Sequence, residues 1–194
     1  MAAMTTAPGS ATRSPAAAPT ASPTRSCSAI PAIASAAAEG VELVDSGPAR
    51  ELGERLAPTV PLIYGAGPMG AVAYRWKTQL NENAKMHAFS HALPELAHNE
   101  IVGWEGTLPG RFAAVFLSDP GQPDAVRRSI EATADLIAGQ AALVETVEGR
   151  GDTPAARAFS LVAHGDWASY GAAIRRGVDP TPVRNIDVLK GVLT

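Results

Sequence analysis

Three of the four histidines, His87, His91 and His98, fall together with Glu82, Glu95, Glu100 and Glu105 in the stretch Tyr74 to Glu105, YRWKTQLNENAKMHAFSHALPELAHNEIVGWE. Carboxylates and imidazoles are the side chains that move protons near neutral pH, so acid–base chemistry is sought here first. On a helix over 71–84, Val72, Ala73, Trp76, Leu80 and Ala84 fall on one side. Counted at about 100° per residue, Glu82 sits roughly 150° from the middle of that stripe and points away from the domain's own core. It is either a solvated glutamate near a helix C-terminus or a carboxylate that faces another protein surface. His98, sixteen residues further on, is either a helix-surface or capping group or a catalyst. His87 and His91 are four apart, but Pro94 breaks the helix that a metal pair at this spacing needs. No cysteine or carboxylate completes a ligand pattern, so no metal site is expected. On the last helix Lys190 falls inside the apolar arc of Val183, Ile186, Leu189 and Leu193, where it either snorkels off the helix end or sits in a pocket.

The elements that must hold these groups alternate. Ala49 to Leu56 reads as a short helix, and Val60 to Tyr64 as a buried strand running into the turn GAGPMG, Gly65 to Gly70. That turn either offers backbone N–H groups to an anion or is a tight strand-to-helix turn; it fits neither a Walker loop nor the full dinucleotide spacing. Phe112 to Leu117 is a strand, Pro123 starts a helix to about Ala138, and Ala142 to Val147 is another strand. Thr153 to Arg176 is largely helical, with a break expected near Gly165 or Gly171; His164, Trp167 and Tyr170 read as packing residues there. Thr181 and Pro182 cap a last helix, Val183 to Leu193. Strands alternating with helices imply an α/β protein, a three-layer α/β/α arrangement on a mainly parallel sheet.

Of the first 40 residues, 30 are Ala, Pro, Ser or Thr, with two arginines, no lysine and Glu39 as the one acid. So little large apolar surface does not offset the entropy of ordering, and residues 1–40 are expected to be a disordered tail, with the domain at 41–194. The remaining composition narrows the partners. A net charge of −3 from 16 basic and 19 acidic residues gives no basic face for nucleic acid and no polybasic membrane anchor. No apolar run approaches the ~18 residues of a membrane span. A single cysteine, Cys27, forms no internal disulfide, which points to the cytoplasm.

Three blocks of this sequence resemble one family. AYRWKTQLNENAK at Ala73 to Lys85, PELAHNEIVGWE at Pro94 to Glu105 and GVDPTPV at Gly177 to Val183 are similar to the C-terminal half of the metal-independent phosphoglucose/phosphomannose isomerases. The resemblance covers roughly residues 47 to 194 and implies the sugar isomerase (SIS) fold, a flavodoxin-like parallel sheet. It implies interconversion of glucose 6-phosphate or mannose 6-phosphate with fructose 6-phosphate through an enediol, with no cofactor. In that scheme Glu82 is the base that carries a proton between C2 and C1. His98 opens the sugar ring and reaches the site from a neighbouring subunit. Lys190, four residues from the end of the chain as in the family, assists ring opening.

Family members are about twice as long, and their N-terminal SIS half supplies Ser/Thr-rich loops for the phosphate and an arginine that steadies the enediolate. Residues 1–40 contain no such loop. The expectation is therefore an isomerase that is incomplete without an N-terminal SIS half, forming a homodimer or pairing with that half. The alternative is a catalytically silent SIS domain that dimerises or binds sugar phosphate.

Overall fold

The computed structural model describes residues 29–106 and 110–193. Four parallel strands, β1 (Val60–Ala66), β2 (Phe89–Leu93), β3 (Phe112–Ser118) and β4 (Leu143–Glu148), line up in the order β2-β1-β3-β4. The helices are α1 (Ala29–Glu42), α2 (Ser46–Leu56), α3 (Met69–Ala84), α4 (Glu100–Gly103), α5 (Asp124–Ile137), α6 (Pro154–Arg176) and α7 (Arg184–Leu193). Short 3-10 turns at Glu95–Ala97 and Trp104–Gly106 flank α4.

Side chains of the strands alternate between two cores, as the two-residue period of an extended chain requires. Ala113, Val115 and Leu117 of β3, with Ile63 of β1 and Val147 of β4, meet the layer formed by α2, α3 and α6. Ala114 and Phe116 of β3, with Tyr64 of β1, meet the opposite layer, where α5 supplies Ile130 and Ile137 and the β2–β3 connection supplies Leu96 and Trp104. The result is the three-layer α/β/α architecture.

Handedness explains the strand order. The chain steps from β1 to β2 in one direction through α3, and from β3 to β4 in the other through α5. Right-handed crossovers then place α3 and α5 on opposite faces. Since α3 returns against parallel strands, it ends at the amino end of the sheet. The connection that follows β2 begins at the carboxyl end.

Three expectations from the sequence are corrected. The stretch 1–40, assigned by composition to a disordered tail, includes most of helix α1, which lies along α6. Ala36 is buried, and a β-carbon at Gly40 would come within 2.5 Å of the Ala156 carbonyl oxygen. Small residues supply close backbone approach here in place of large apolar area. Residues 1–28 lie outside the described residues. The second correction concerns α6, which runs without a break through Gly165 and Gly171. A β-carbon on Gly165 would sit 2.4 Å from the Trp76 indole, one on Gly171 would sit 2.1 Å from the Arg50 carbonyl oxygen, and one on Gly53 of α2 would sit 1.8 Å from the Ala168 carbonyl oxygen. These glycines are packing surfaces; the helix tolerates their cost of about 0.5–1 kcal/mol each because neighbouring helices press onto them.

Trp76 occupies the centre of this contact. Its Nε1–H donates to the Leu161 carbonyl at 2.7 Å, and its ring stacks on His164 with centroids 5.7 Å apart and planes 7° from parallel. Burial, and then the positive charge of Arg150, lowers the His164 pKa from 6.5 to about 4. Trp167 and Tyr170, expected to pack inward, are instead 43% and 44% exposed and lie edge to face against each other. Among the described residues, both sit on an exposed part of α6.

Replacing Gly165 by alanine should destabilise the fold by about 1–3 kcal/mol, because the new methyl group drives into the rigid Trp76 ring. Gly191→Ala, which meets nothing within 4 Å, should cost nothing. Urea denaturation of the two variants tests the contrast. A second expectation follows from His164. Its pKa is depressed in the folded state, so the unfolded chain binds the extra proton first, and its contribution is complete above pH 6.5 and is lost as the pH falls towards 4. The urea midpoint should drop over that window, and His164→Phe, which keeps a stacked ring without a titrating group, should flatten the decline.

Candidate active site

Helix α3 delivers Glu82 to the amino end of the sheet, two residues before the helix stops. That helix end is tightly held. Lys85 takes the left-handed conformation, φ 51°, and its N–H donates back to the Leu80 carbonyl. Lys85 Nζ donates to the Glu82 carbonyl at 2.5 Å and to the Pro180 carbonyl at 3.0 Å, and so ties α3 to the segment preceding α7. Arg176, in the last turn of α6, donates through Nε to the Ala84 carbonyl at 2.9 Å and through Nη1 to the Ala57 carbonyl at 3.2 Å. Asn81 donates to the Met86 carbonyl at 2.8 Å. Two of the carbonyls that the C-terminus of α3 leaves open, those of Glu82 and Ala84, are thus occupied by cationic side chains. Lys85 holds an unfavourable backbone geometry for a residue other than glycine, which its two carbonyl contacts offset.

The carboxylate of Glu82 is different from its backbone. It is exposed and makes no hydrogen bond or ion pair among the described residues. It lines a cavity of about 830 Å³ bounded by α3, the loop ahead of β2 and the start of α7, together with Lys85, His87, Asp179, Arg184 and Ile186. Asp179 remains ionised there, its pKa lowered first by the hydrogen bond from the Thr181 backbone N–H. An unpaired carboxylate at the edge of a cavity lined by charged side chains is free to accept a proton from a bound molecule and return it.

Lys190 belongs to the same neighbourhood but is not a lining residue. It lies four residues beyond Ile186, so one turn further along the same side of α7. No residue of α7 is buried, and Ile186, Leu189 and Leu193 are 40%, 59% and 77% exposed. The apolar arc that frames Lys190 in projection is therefore presented outward.

His98 is elsewhere. It follows β2 at the carboxyl end of the sheet and caps the 3-10 turn Glu95–Ala97, with its N–H donating to the Glu95 carbonyl at 3.0 Å. The segment that carries it packs on the Tyr64 and Phe116 face, whereas α3 packs on the Ile63 and Val115 face. Glu82 and His98 of one chain are consequently on opposite faces and at opposite ends of the sheet, on the order of 20 Å apart by strand length. One chain does not bring them to one substrate.

Among the described residues no three His, Cys, Asp or Glu side chains are grouped to hold a metal ion. His91, a candidate ligand by its spacing from His87, places Nδ1 2.7 Å from Glu100 Oε2. The turn Gly65 to Gly70 is a close strand-to-helix connection: a β-carbon on Gly65 would be 2.3 Å from the Met69 carbonyl oxygen, and Gly67 has φ +52°. Sequence reasoning missed strand β2, and with it the Tyr64–Glu100–His91 contacts described below. FSHAL is five residues long, and its one signal was the start of a period-two alternation.

Comparison with known proteins places the chain. Residues 45–193 match the family model for the bacterial phospho-glucose isomerase C-terminal SIS domain. The chain is 40% identical over 150 residues to the bifunctional phosphoglucose/phosphomannose isomerase of Caldicellulosiruptor bescii, covering 75% of this chain and 44% of that protein. It is 39% identical over 131 residues to the protein of the same name from Thermoplasma acidophilum, covering 68% and 41%. A crystal structure of a glucose-6-phosphate isomerase like protein from Thermus thermophilus superposes with a TM-score of 0.59 at 24% identity, over 75% of this chain and 47% of that one; at that identity the likeness concerns the fold. The chain spans less than half the length of the curated relatives it matches. By its matched residues and its parallel-sheet architecture, this chain belongs to the bacterial phospho-glucose isomerase C-terminal SIS domain family.

Proposed function

We propose that this chain carries the proton-transfer machinery of an aldose–ketose isomerase that interconverts glucose 6-phosphate or mannose 6-phosphate with fructose 6-phosphate. The observation that carries the reading is Glu82, a carboxylate without a partner, on a firmly held helix end, facing a cavity of substrate size. It lies in the NENAK block, one of the three blocks by which this sequence resembles the family, and within the region matched to relatives named as phosphoglucose/phosphomannose isomerases.

The steps follow from the chemistry of the groups. His98 takes the proton of the anomeric hydroxyl and delivers one to the ring oxygen, which breaks the C1–O5 bond and frees the aldehyde. Lys190, carrying positive charge near the opened oxygen, assists this step. Glu82 then removes the proton from C2, the electron pair forms the C1–C2 double bond of the enediol, and the carbonyl oxygen at C1 takes up a proton. Return of the Glu82 proton to C1, with loss of the hydroxyl proton at C2, gives the ketose. A carboxylate suits both halves because it holds the proton between two neighbouring carbons.

The separation of Glu82 and His98 across the sheet supports a homodimer in which each site takes Glu82 from one copy and His98 from the other. Substrate grip is assigned to an N-terminal SIS half, supplied by a longer chain or a partner, because proton transfer needs a substrate anchored through its phosphate. The reaction is assigned to the cytoplasm, where these sugar phosphates occur. Among the described residues no helix is long and apolar enough to cross a membrane.

The test is a coupled assay with fructose 6-phosphate, reading glucose 6-phosphate and mannose 6-phosphate separately, on the chain alone and with the N-terminal half of a curated relative added. Turnover should be unaffected by EDTA, and Glu82→Gln should lower kcat by about 10²–10⁴-fold with the fold intact. Retained activity in that variant would overturn the assignment of the base. Tight binding of fructose 6-phosphate with no conversion under either condition would mark a sugar-phosphate sensor instead. Mixing the Glu82→Gln and His98→Gln chains, each reduced to a small residual rate, should restore about a quarter of the wild-type rate, as expected for sites shared across a two-fold axis. No recovery on mixing would show that His98 is not lent between copies.

A further inference from the structure

Among the described residues, the connection between β2 and β3 contains helical pieces of three or four residues, too short to hold their own shape. Its fixed point is Glu100. Oε1 of this carboxylate accepts a hydrogen bond from the Tyr64 hydroxyl at 2.7 Å, and Oε2 lies 2.7 Å from His91 Nδ1. Tyr64 and His91 are register partners on adjacent strands β1 and β2, so one carboxylate clasps two neighbouring strands of the sheet. Trp104 Nε1 donates to the same Tyr64 hydroxyl at 3.1 Å. The connection is therefore tied at Glu100 and again at Trp104 to one side chain of an inner strand.

The burial of these groups gives the arrangement its rigidity. Tyr64 is fully buried and Trp104 nearly so, whereas His91 and Glu100 are about one-third exposed, at 31% and 29% of their side chains. Burial, and then the hydrogen bond to Glu100, drive the Tyr64 pKa upward, so the hydroxyl remains a donor. Leu96, 1% exposed, pins the connection on its other side, and the Asn99 side chain accepts from the Glu100 N–H. His98 lies between these anchors, two residues before Glu100, with an exposed side chain that makes no hydrogen bond among the described residues.

We infer that Glu100, held by Tyr64 and His91, is a positioning residue for His98: it fixes the backbone from which the imidazole is presented and does not itself touch substrate. The inference rests on the isomerase reading, which gives His98 its role. Nothing in the cluster faces the Glu82 cavity. Its effect on turnover therefore passes through His98 alone, and that makes it separable from a general loss of stability.

Two measurements on the full chain decide it. In the first, the imidazole resonances of the four histidines are followed by NMR in wild type, Glu100→Gln and Tyr64→Phe, the last keeping the ring and deleting only the hydroxyl. His98 should shift and broaden while His87, at the other end of the sheet, and His164, in the α3–α6 core, stay in place. An undisturbed His98, or equal disturbance of all four, would overturn the inference. In the second, fructose 6-phosphate turnover is measured under the conditions that support activity. Glu100→Gln should lower kcat at least about tenfold at little change in KM, and should cause no further loss in a His98→Gln background, since residues acting as a unit are not additive. Losses that multiply would show an independent structural effect and would sink the proposal. The NMR result requires no turnover. An inactive wild-type chain would thus count against the isomerase reading while the response of His98 still decides the positioning.

Discussion

The site depends on the contact between α3 and α6. Trp76 is wedged against Gly165, bonded to the Leu161 carbonyl and stacked on His164, and this places the two helices side by side at backbone distance. Because they are so close, Arg176 at the end of α6 reaches the last carbonyl of α3, that of Ala84, and Lys85 just beyond α3 reaches the carbonyl at Pro180. Asn83 also bridges to Ser169 at 2.8 Å. The backbone under Glu82 is held from three directions while its carboxylate is left unengaged. A proton acceptor needs that combination: fixed position without a competing partner for the charge.

Parallel topology imposes the second constraint. A helix that crosses between parallel strands must run back to the strands' amino end, so the end of α3 and the start of the β2–β3 connection cannot meet in one chain. Right-handed crossover then assigns them different faces. The two groups that the proposed chemistry needs are thus separated by the fold itself. Helix α7 and the Trp167–Tyr170 pair stay exposed on the outside of this arrangement.

Much of this was legible beforehand. The apolar runs at Val60 and Phe112 read as strands because buried parallel strands carry β-branched and aromatic residues without interruption, and both strands start at those residues and run one or two residues beyond the expected ends. Glu82 was placed outside the core by helical periodicity, and it lies there. The failures share a cause. Gly165 and Gly171 look like helix breakers, and the Ala-rich stretch before Gly40 looks like tail, because composition reports what a residue prefers alone. Each of these small residues is instead the surface onto which a particular neighbour, Trp76, Arg50 or Ala156, closes. Strand β2 escaped notice because an edge strand of five residues, partly exposed, lacks the apolar run that identified its neighbours.

Most of the elements, the family and the chemical types available are legible in the chain as written, since local periodicity and a run of matched residues are local properties. Tertiary structure alone decided which groups share a space. It set Glu82 beside Lys85, His87 and Arg184 at one cavity, put His98 beyond the sheet from them, and gave Glu100 two partners, Tyr64 and His91, that lie 36 and 9 residues away. Those relations depend on helix packing distances and on the direction in which each crossover returns, and no local stretch of sequence encodes either.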